Sequence, residues 1–391
     1  MQVQILLSAP LPAMTVYSTV MRLSLLFVHW YERDCEMEQK LSAPSSKVNY
    51  NFIDIMKFVM SICIVIIHRP IFANEIANAV SRLSICWISV PFFFVCSGFF
   101  FGKSMAANSS PKSFFKSLKR VFFLYLIWTL IYFPMIYFLR YSGSIPVADF
   151  KHIFGFALIF MRDFLFDKSF IHFWYLSALI WTMPIVYLLT KKIKPGVLAV
   201  ISFFICIIFD AATAAAEKYQ SIESVINYIP LVFRNVLTYA LPSFLIGYCI
   251  SQNEQKYKTI KTLPCIALAL LVAADISCLL IDGKNGTIFN FTHKLYVIAA
   301  AALVFRLTFG IKIKNTKRCI ELRKYSTVIY CCHLILRTEW ISHFFGYLGL
   351  SFGLFEPVAI FAVTCIYSFA ISAIIINLAK IPKLKFLRYL Y

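Results

Sequence analysis

The sequence predicts an all-α integral membrane protein, a bundle of about ten transmembrane helices with both ends in the cytoplasm. Of its 391 residues, 60% are hydrophobic and only 14% are charged, whereas soluble domains average about 45–50% and 25%. After residue 50 the apolar residues form long runs, close to the roughly 20 residues that a spanning helix needs. Because the runs are continuous and do not alternate over about ten residues, they predict helices and not strands of a β-barrel.

Ten such runs follow one another with short polar connections between them. The longest connection, residues 140–170, has room for a short re-entrant or surface segment, but it cannot bury a core of its own. The predicted spans occupy approximately residues 52–73, 81–102, 121–139, 171–190, 197–215, 229–250, 263–281, 291–310, 325–341 and 357–379.

Basic residues orient the predicted bundle, because Lys and Arg concentrate in short cytoplasmic loops. If the first span begins in the cytoplasm, the inner segments are rich in Lys and Arg and nearly free of acidic residues, whereas the outer connections carry acidic and basic residues in similar numbers. The net charge of +20 is therefore mainly a topology signal, and the expected partner is a lipid bilayer, not nucleic acid. The inner segments are residues 103–120, 191–194, 256–261, 312–324 and the tail after residue 380.

Residues 1–47 stand outside this pattern as an N-terminal extension. Residues 4–30 are apolar enough for a signal peptide or an eleventh span, but Arg22 interrupts them and no basic segment precedes them. Alternatively, translation starts at Met37, which opens a polar lead into the first clear span. Residues 48–391 form the transmembrane domain.

The first span is the richest in ionisable side chains, which are costly inside a membrane and mark functional sites. Asp54 and Lys57 are three residues apart, so they share a helix face and can form an ion pair. His68 follows eleven residues after Lys57, about 16 Å further along a helix. A cation near the inner face suits an anionic donor, and a deeper histidine can take a proton from an acceptor hydroxyl. Alternatively, the lysine snorkels and the histidine is a boundary residue.

Other predicted helices carry further polar sets. In the second span, a Ser-Gly pair after Pro91 either breaks the helix or allows close packing with a neighbour. The basic approach to the third span either binds phosphates or anchors the helix at anionic lipid. In the fourth and ninth spans, two further groups of residues carry imidazole, aromatic and hydroxyl side chains. The four sets are Ser97 with Gly98; Lys116, Lys119 and Arg120; His172, Trp174 and Tyr175; and Tyr330 with His333.

Two other groups of residues are interpreted as structural. The twelve cysteines are scattered, mostly inside spans, without paired spacing, so we expect neither a disulfide framework nor a structural metal. Arg234, Asp275 and Arg306 are also placed inside or beside predicted spans, and we interpret them as structural partners within the bundle.

Together these motifs resemble acyltransferase family 3, a family of bacterial inner-membrane acyltransferases that modify sugars and surface polysaccharides. The resemblance extends over about residues 48–380 and rests on the order of the motifs and their positions on the spans. His68 resembles the family's essential histidine and Lys57 its basic partner, separated by ten residues. Asp54 resembles the acidic residue just before that partner.

The basic set resembles the family less closely. Arg120 resembles the second arginine of a cytoplasmic Arg-x-x-Arg motif, but Ser117 stands at the first position. Lys116 and Lys119 are the candidate substitutes. Lysine offers a point charge where arginine offers a bidentate fork, so the phosphate contacts would differ in shape.

The resemblance implies a core-only O-acyltransferase. It would move an acyl group from cytoplasmic acyl-CoA, usually acetyl-CoA, to a hydroxyl of a sugar or exported polysaccharide, with no tightly bound cofactor and no metal. The implied catalytic set is His68 as general base, or less favourably as acyl carrier, with Lys57 and Asp54. The donor side would comprise Lys116, Lys119, Arg120 and Ser97, and the acceptor side His172, Trp174, Tyr175, Tyr330 and His333.

A transporter or flippase of a lipid-linked glycan is the main alternative, since it would also combine many spans with buried charges. Two features disfavour it: the two halves of the sequence show no paired half-helices, and the ionisable residues concentrate in the first span beside a basic cluster. A receptor or purely structural membrane protein comes third. The sequence leaves open the acyl group, the acceptor and whether the chain forms a homo-oligomer.

Overall fold

A computed structural model describes residues 50–107, 110–141, 150–216, 220–254, 262–309, 311, 313 and 317–391. The N-terminal extension 1–47 lies outside the described residues. Within those residues the chain is helical and contains no strand, and eight helices are long and apolar enough to cross a membrane. The prediction of an all-helical membrane bundle is therefore confirmed, while the count of ten spans and the orientation of the ends stay predictions.

The first half of the bundle is built from seven α-helices. A π-helical turn and a 3₁₀ turn, Val80–Ile85 and Cys86–Ile88, join the second helix to the third without an intervening loop. The α-helices are α1 (Asn51–His68), α2 (Glu75–Ala79), α3 (Ser89–Ala107), α4 (Pro111–Ile136), α5 (Phe150–Phe166), α6 (Trp174–Leu189) and α7 (Pro195–Ala216).

The second half continues with eight more. Short turns accompany them: the π-helical turn Val236–Ala240 and the 3₁₀ turns Gly353–Phe355 and Pro382–Leu390. The α-helices are α8 (Gln220–Tyr228), α9 (Leu231–Asn235), α10 (Leu241–Gln252), α11 (Thr262–Asp282), α12 (Thr287–Thr308), α13 (Lys317–Cys332), α14 (Thr338–Tyr347) and α15 (Glu356–Leu378).

Three predicted segments differ from the observed helices. The predicted span 325–341 is wrong in its limits, because α13 begins earlier, ends at Cys332, and is followed by a turn before α14. The predicted span 229–250 corresponds to α9, a π-helical turn and α10 in succession. Within the long connection 140–170, helix α5 occupies most of the length. Hydropathy averages over such turns, so it cannot place them.

Helices α3 and α10 cross very closely, and glycine makes this possible. A Cβ added at Gly98 would lie 1.9 Å from the carbonyl oxygen of Phe244, and one added at Gly247 would lie 1.9 Å from that of Val95. Helix α3 is unbroken from Ser89 to Ala107. Of the two interpretations of the Ser-Gly pair, close packing is therefore the one observed.

Two buried acidic side chains on α7 and α11 each lie beside a basic residue of α12. Asp210 on α7 lies 2.5 Å from Lys294 Nζ, and its side chain is only 1% exposed. Asp275 on α11 lies 3.1 Å from His293 Nδ1 on α12. Because adjacent residues of α12 point to two different helices, these pairs fix the rotation of α12, and Asp275 has the structural partner expected from the sequence.

Candidate active site

Helix α1 carries candidate groups at both of its ends. Lys57 lies in its second turn and His68 is its last residue, which places them about 16 Å apart along the helix axis. Ser326 Oγ on α13 donates a hydrogen bond to the Lys57 carbonyl oxygen at 2.9 Å, so α1 and α13 are locked in register. We refer to the two levels of the bundle as the Lys57 end and the His68 end.

Three imidazole rings meet at the His68 end. The ring centroids of His68 and His333 are 5.2 Å apart, and those of His172 and His333 are 4.9 Å apart. These side chains come from the end of α1, from the 3₁₀ turn before α6 and from the residue after α13. The structure therefore brings together three of the histidines singled out in the sequence.

The hydrogen bonds of two of these rings define where their protons lie. His333 Nδ1 lies 2.8 Å from the carbonyl oxygen of Tyr330, and His172 Nε2 lies 3.1 Å from that of Cys331. Because a carbonyl can only accept, each of those nitrogens carries the proton. The opposite nitrogens, His333 Nε2 and His172 Nδ1, are buried. Each carries a lone pair that could accept a hydrogen bond, but neither has a donor among the described residues.

His68 differs from its two neighbours. Its ring is partly exposed, and it makes no hydrogen bond to another described residue. Both of its nitrogens are therefore available to a ligand. Within the described part of the chain, no group of three or more His, Cys, Asp or Glu side chains is placed to hold a metal ion.

Aromatic hydroxyls complete the wall around the three rings. Tyr330 donates to the His172 carbonyl oxygen at 2.6 Å. The Tyr175 hydroxyl lies 3.0 Å from Ser97 Oγ, and Tyr132 donates to the Cys331 carbonyl oxygen at 3.0 Å. Ser97 thus lies beside Tyr175, a residue of the predicted acceptor-binding set. The resemblance had implied a place for Ser97 in the donor-binding set.

These side chains enclose a narrow cavity. Its volume is about 20 Å³, enough for a water molecule or a single hydroxyl group but not for a sugar ring. Four of the five predicted acceptor-side residues line the cavity together with His68. The fifth, His333, does not line it, but its ring lies next to those of His68 and His172. The polar and aromatic lining residues are His68, His172, Trp174, Tyr175 and Tyr330.

The Lys57 end is cationic. The Lys57 ammonium lies 4.4 Å from the centroid of the Phe100 ring, a cation–π contact that holds it inside the bundle. Arg323 and Arg120 are close enough to interact with it electrostatically. Like charges gathered in this way attract an anion.

Asp54 and Lys57 interact electrostatically, as their spacing predicts, but they do not form the predicted ion-pair contact. Asp54 instead pairs with Arg323, whose Nε lies 3.8 Å from the Asp54 carboxylate. The Asp54 side chain is only 3% exposed, so it is directed toward α13 and not along the surface of α1. Packing of α1 against α13 supplied a partner that the local spacing could not reveal.

The rest of the predicted donor set lies on the first turns of α4. Lys116 and Arg120 are exposed, and Lys119 is half-buried with its ammonium 5.9 Å from the Phe123 ring centroid. Of the three, Arg120 is the one whose charge reaches Lys57. The exposed side chain of Lys116 is accessible to a phosphate or to lipid.

A polar network closes the bundle at the Lys57 end. Glu254 accepts hydrogen bonds from the Tyr50 hydroxyl at 3.0 Å and from Lys103 Nζ at 2.7 Å. Burial raises the pKa of the Tyr50 hydroxyl, and the bond to Glu254 acts in the same direction. Tyr50 therefore stays protonated and continues to donate, which ties the start of α1 to α3 and to the end of α10.

Several residues of the two ends were not singled out in the sequence. Arg69 and Arg82 flank His68, Arg323 pairs with Asp54, and the Tyr132 ring lies 5.4 Å from that of His172. Arg69 and Arg82 had a detectable signal, since each is a charge inside a predicted span. Arg323 and Tyr132 had none, because their roles arise from helices distant in sequence.

Comparison with known proteins gives two kinds of match. A family model described as an acyltransferase domain, of acyltransferase family 3, matches residues 50–377. The chain is 26% identical over 309 residues to an amino-acid racemase of Enterococcus faecalis, covering 74% of the chain and 41% of that protein. A second amino-acid racemase of that organism is 28% identical over 162 residues, covering 40% and 22%. The chain thus spans less than half the length of these relatives, and no solved structure matches it significantly.

Proposed function

Because the chain belongs to acyltransferase family 3, we propose that it is a multi-pass enzyme of the bacterial inner membrane. It moves an acyl group, most simply acetyl, from cytoplasmic acyl-CoA to a hydroxyl of a sugar or exported polysaccharide. The observation that carries this proposal is the His68 ring, which lines a cavity just large enough for a hydroxyl and makes no hydrogen bond to any residue that the structure describes.

The donor enters at the Lys57 end in this proposal. Lys57, Arg323 and Arg120 supply positive charge for the CoA phosphates, and Asp54 pairs with Arg323 among them. The exposed Lys116 lies on the same face of α4 as Arg120, one turn away. The pantetheine arm then extends along α1 for about 16 Å, which brings the thioester toward His68.

The acceptor hydroxyl enters the cavity at the His68 end. His68 takes the hydroxyl proton while the oxygen attacks the thioester carbonyl. A new oxygen–carbon bond forms, the carbon–sulfur bond breaks, and the CoA thiolate receives the proton that His68 had taken. Direct transfer of this kind needs no acyl-enzyme intermediate.

The neighbouring imidazoles assist without taking the proton themselves. His172 Nδ1 and His333 Nε2 are lone pairs with no protein donor, so they favour an N–H or O–H group in the cavity. The imidazolium that forms on His68 is such a donor. The Tyr175 hydroxyl and Trp174, which also line the cavity, provide the hydroxyl and aromatic face that suit a sugar.

The experiment compares acylation of cell-surface glycans in cells that express the wild-type protein or His68→Ala. Wild-type cells should show glycans heavier by one acyl group in mass spectrometry. A general base contributes about 10²- to 10⁴-fold, so His68→Ala should lower the modification to background. Equal amounts of both proteins in the membrane must be demonstrated by immunoblot.

His343 provides the matched control, because it is an exposed histidine outside the cluster. His343→Ala should acylate like the wild type. Full acylation by His68→Ala would remove the proposed base. Movement of a lipid-linked glycan across the membrane with no consumption of acyl-CoA would instead favour the transporter.

A further inference from the structure

Two arginines flank His68, and neither has a role in the proposed reaction. Arg82, on the π-helical turn before α3, is half-buried and donates through Nε to the Ile67 carbonyl oxygen at 2.8 Å. Its two terminal amino groups have no hydrogen-bond partner among the described residues. Arg82 therefore uses one of five donors to hold the last turn of α1 and keeps four for another group.

Arg69 is the more deeply buried of the two, at 5% exposure. Its terminal nitrogens donate to the Leu336 carbonyl oxygen at 2.5 Å and to the Thr338 hydroxyl. Its Nε has no partner. All of its acceptors are neutral, so these bonds position the guanidinium but do not neutralise its charge.

Neither arginine forms an ion pair within the described part of the chain. The acidic group that interacts with Arg69 over a longer range is Glu339, but Glu339 is 60% exposed and pairs with Arg337 at 3.1 Å. Both guanidinium groups interact electrostatically with the His68 ring. Buried or half-buried charges are normally paired, so two uncompensated cations beside a catalytic base call for an anion.

We propose that the anion belongs to the acceptor, which is an acidic glycan carrying a phosphate or carboxylate group near the hydroxyl that is acylated. This inference rests on the proposed function, since it makes Arg82 and Arg69 part of acceptor recognition. The guanidinium fork of Arg82 binds the anionic group through its free amino groups. The neighbouring hydroxyl then points into the cavity beside His68.

The test measures binding, which does not depend on acyl transfer. The purified protein in phosphatidylcholine nanodiscs is titrated with radiolabelled glucose, glucuronic acid and glucose 6-phosphate, and equilibrium dialysis measures how much of each sugar is bound. Hydrogen bonds to a charged group favour the anionic sugars by about 10- to 100-fold. Equal or undetectable binding of the three sugars overturns the proposal.

Variants assign the preference to the arginine. Arg82→Gln should reduce the anionic advantage to nearly one while glucose binds as before, and Arg82→Lys should retain part of it. Lys284→Gln is the matched control, because Lys284 is an exposed cation that pairs with Glu75 at the start of α2. An advantage that survives in Arg82→Gln overturns the proposal, and unchanged glucose binding shows that this variant is folded.

A second arm separates a sugar from a lipid headgroup. The titration is repeated in nanodiscs of phosphatidylglycerol, an anionic lipid. If the anionic sugars keep their advantage, the site belongs to the acceptor, whereas loss of the advantage assigns it to lipid phosphate and overturns the proposal. If His68→Ala retains acyl transfer but the anionic preference persists, the proposed base fails and the anion site stands.

Discussion

The close crossing of α3 and α10 makes Gly98 a position where a single added methyl group is expected to destabilise the bundle. In Gly98→Ala the new Cβ would lie 1.9 Å from the Phe244 carbonyl oxygen, far inside any normal contact. The obstacle is backbone, and Gly247 is equally tight against Val95 on the other side, so neither helix can yield locally. Overpacking of this kind costs about 1–3 kcal/mol.

The assay is unfolding by sodium dodecyl sulfate in mixed micelles, followed by far-ultraviolet circular dichroism. The matched control is Gly155→Ala on α5, where an added Cβ meets nothing within 4 Å. Since Ala is the better helix former, this control should gain about 0.5–1 kcal/mol. The reasoning would be refuted if Gly98→Ala unfolded at the same detergent fraction as the control.

Three other predictions concern buried partners and the two ends of α1. Asp210→Asn leaves Lys294 without its partner at 2.5 Å and should cost about 3–5 kcal/mol in the same unfolding assay; the double variant with Lys294→Met should recover most of this, and an unchanged single variant would contradict it. Tyr175→Phe removes the 3.0 Å contact with Ser97 and should lower the rate of acyl transfer about tenfold without changing insertion, so wild-type turnover would argue against an ordering role for this hydroxyl. Lys57→Met should raise the KM for acetyl-CoA about tenfold or more, with partial rescue by Lys57→Arg, and a KM within about twofold of wild type would mean that the phosphates bind elsewhere.

The spacing of the site residues along their helices was predictable from the sequence. A regular helix rises about 1.5 Å per residue, so the spacing of Lys57 and His68 placed a cation and an imidazole at different depths. The 3.6-residue period also placed Tyr330 and His333 on one face of their helix.

The partners of these residues were not predictable in the same way. Asp54 had a lysine at a suitable local spacing, yet it pairs with Arg323 on α13 because α1 and α13 pack face to face. Ser97 was assigned to the donor, yet it lies beside Tyr175. In both cases the rotation of a helix about its axis decides the contact, and that rotation depends on the packing of residues distant in sequence.

The sequence by itself determined that this protein is a bundle of membrane helices of acyltransferase family 3, because apolar length and motif order are properties of local segments. Only the tertiary structure decided which side chains meet. It brought three imidazoles from three separate segments together. Hydrogen bonds to backbone carbonyls decide which nitrogen of His172 and His333 carries the proton, and His68 makes no such bond to a described residue. These features follow from the packing of α1 on α13 and from the hydrogen bonds between His172 and the end of α13, where contacts between helices, and not the sequence of one helix, set the geometry.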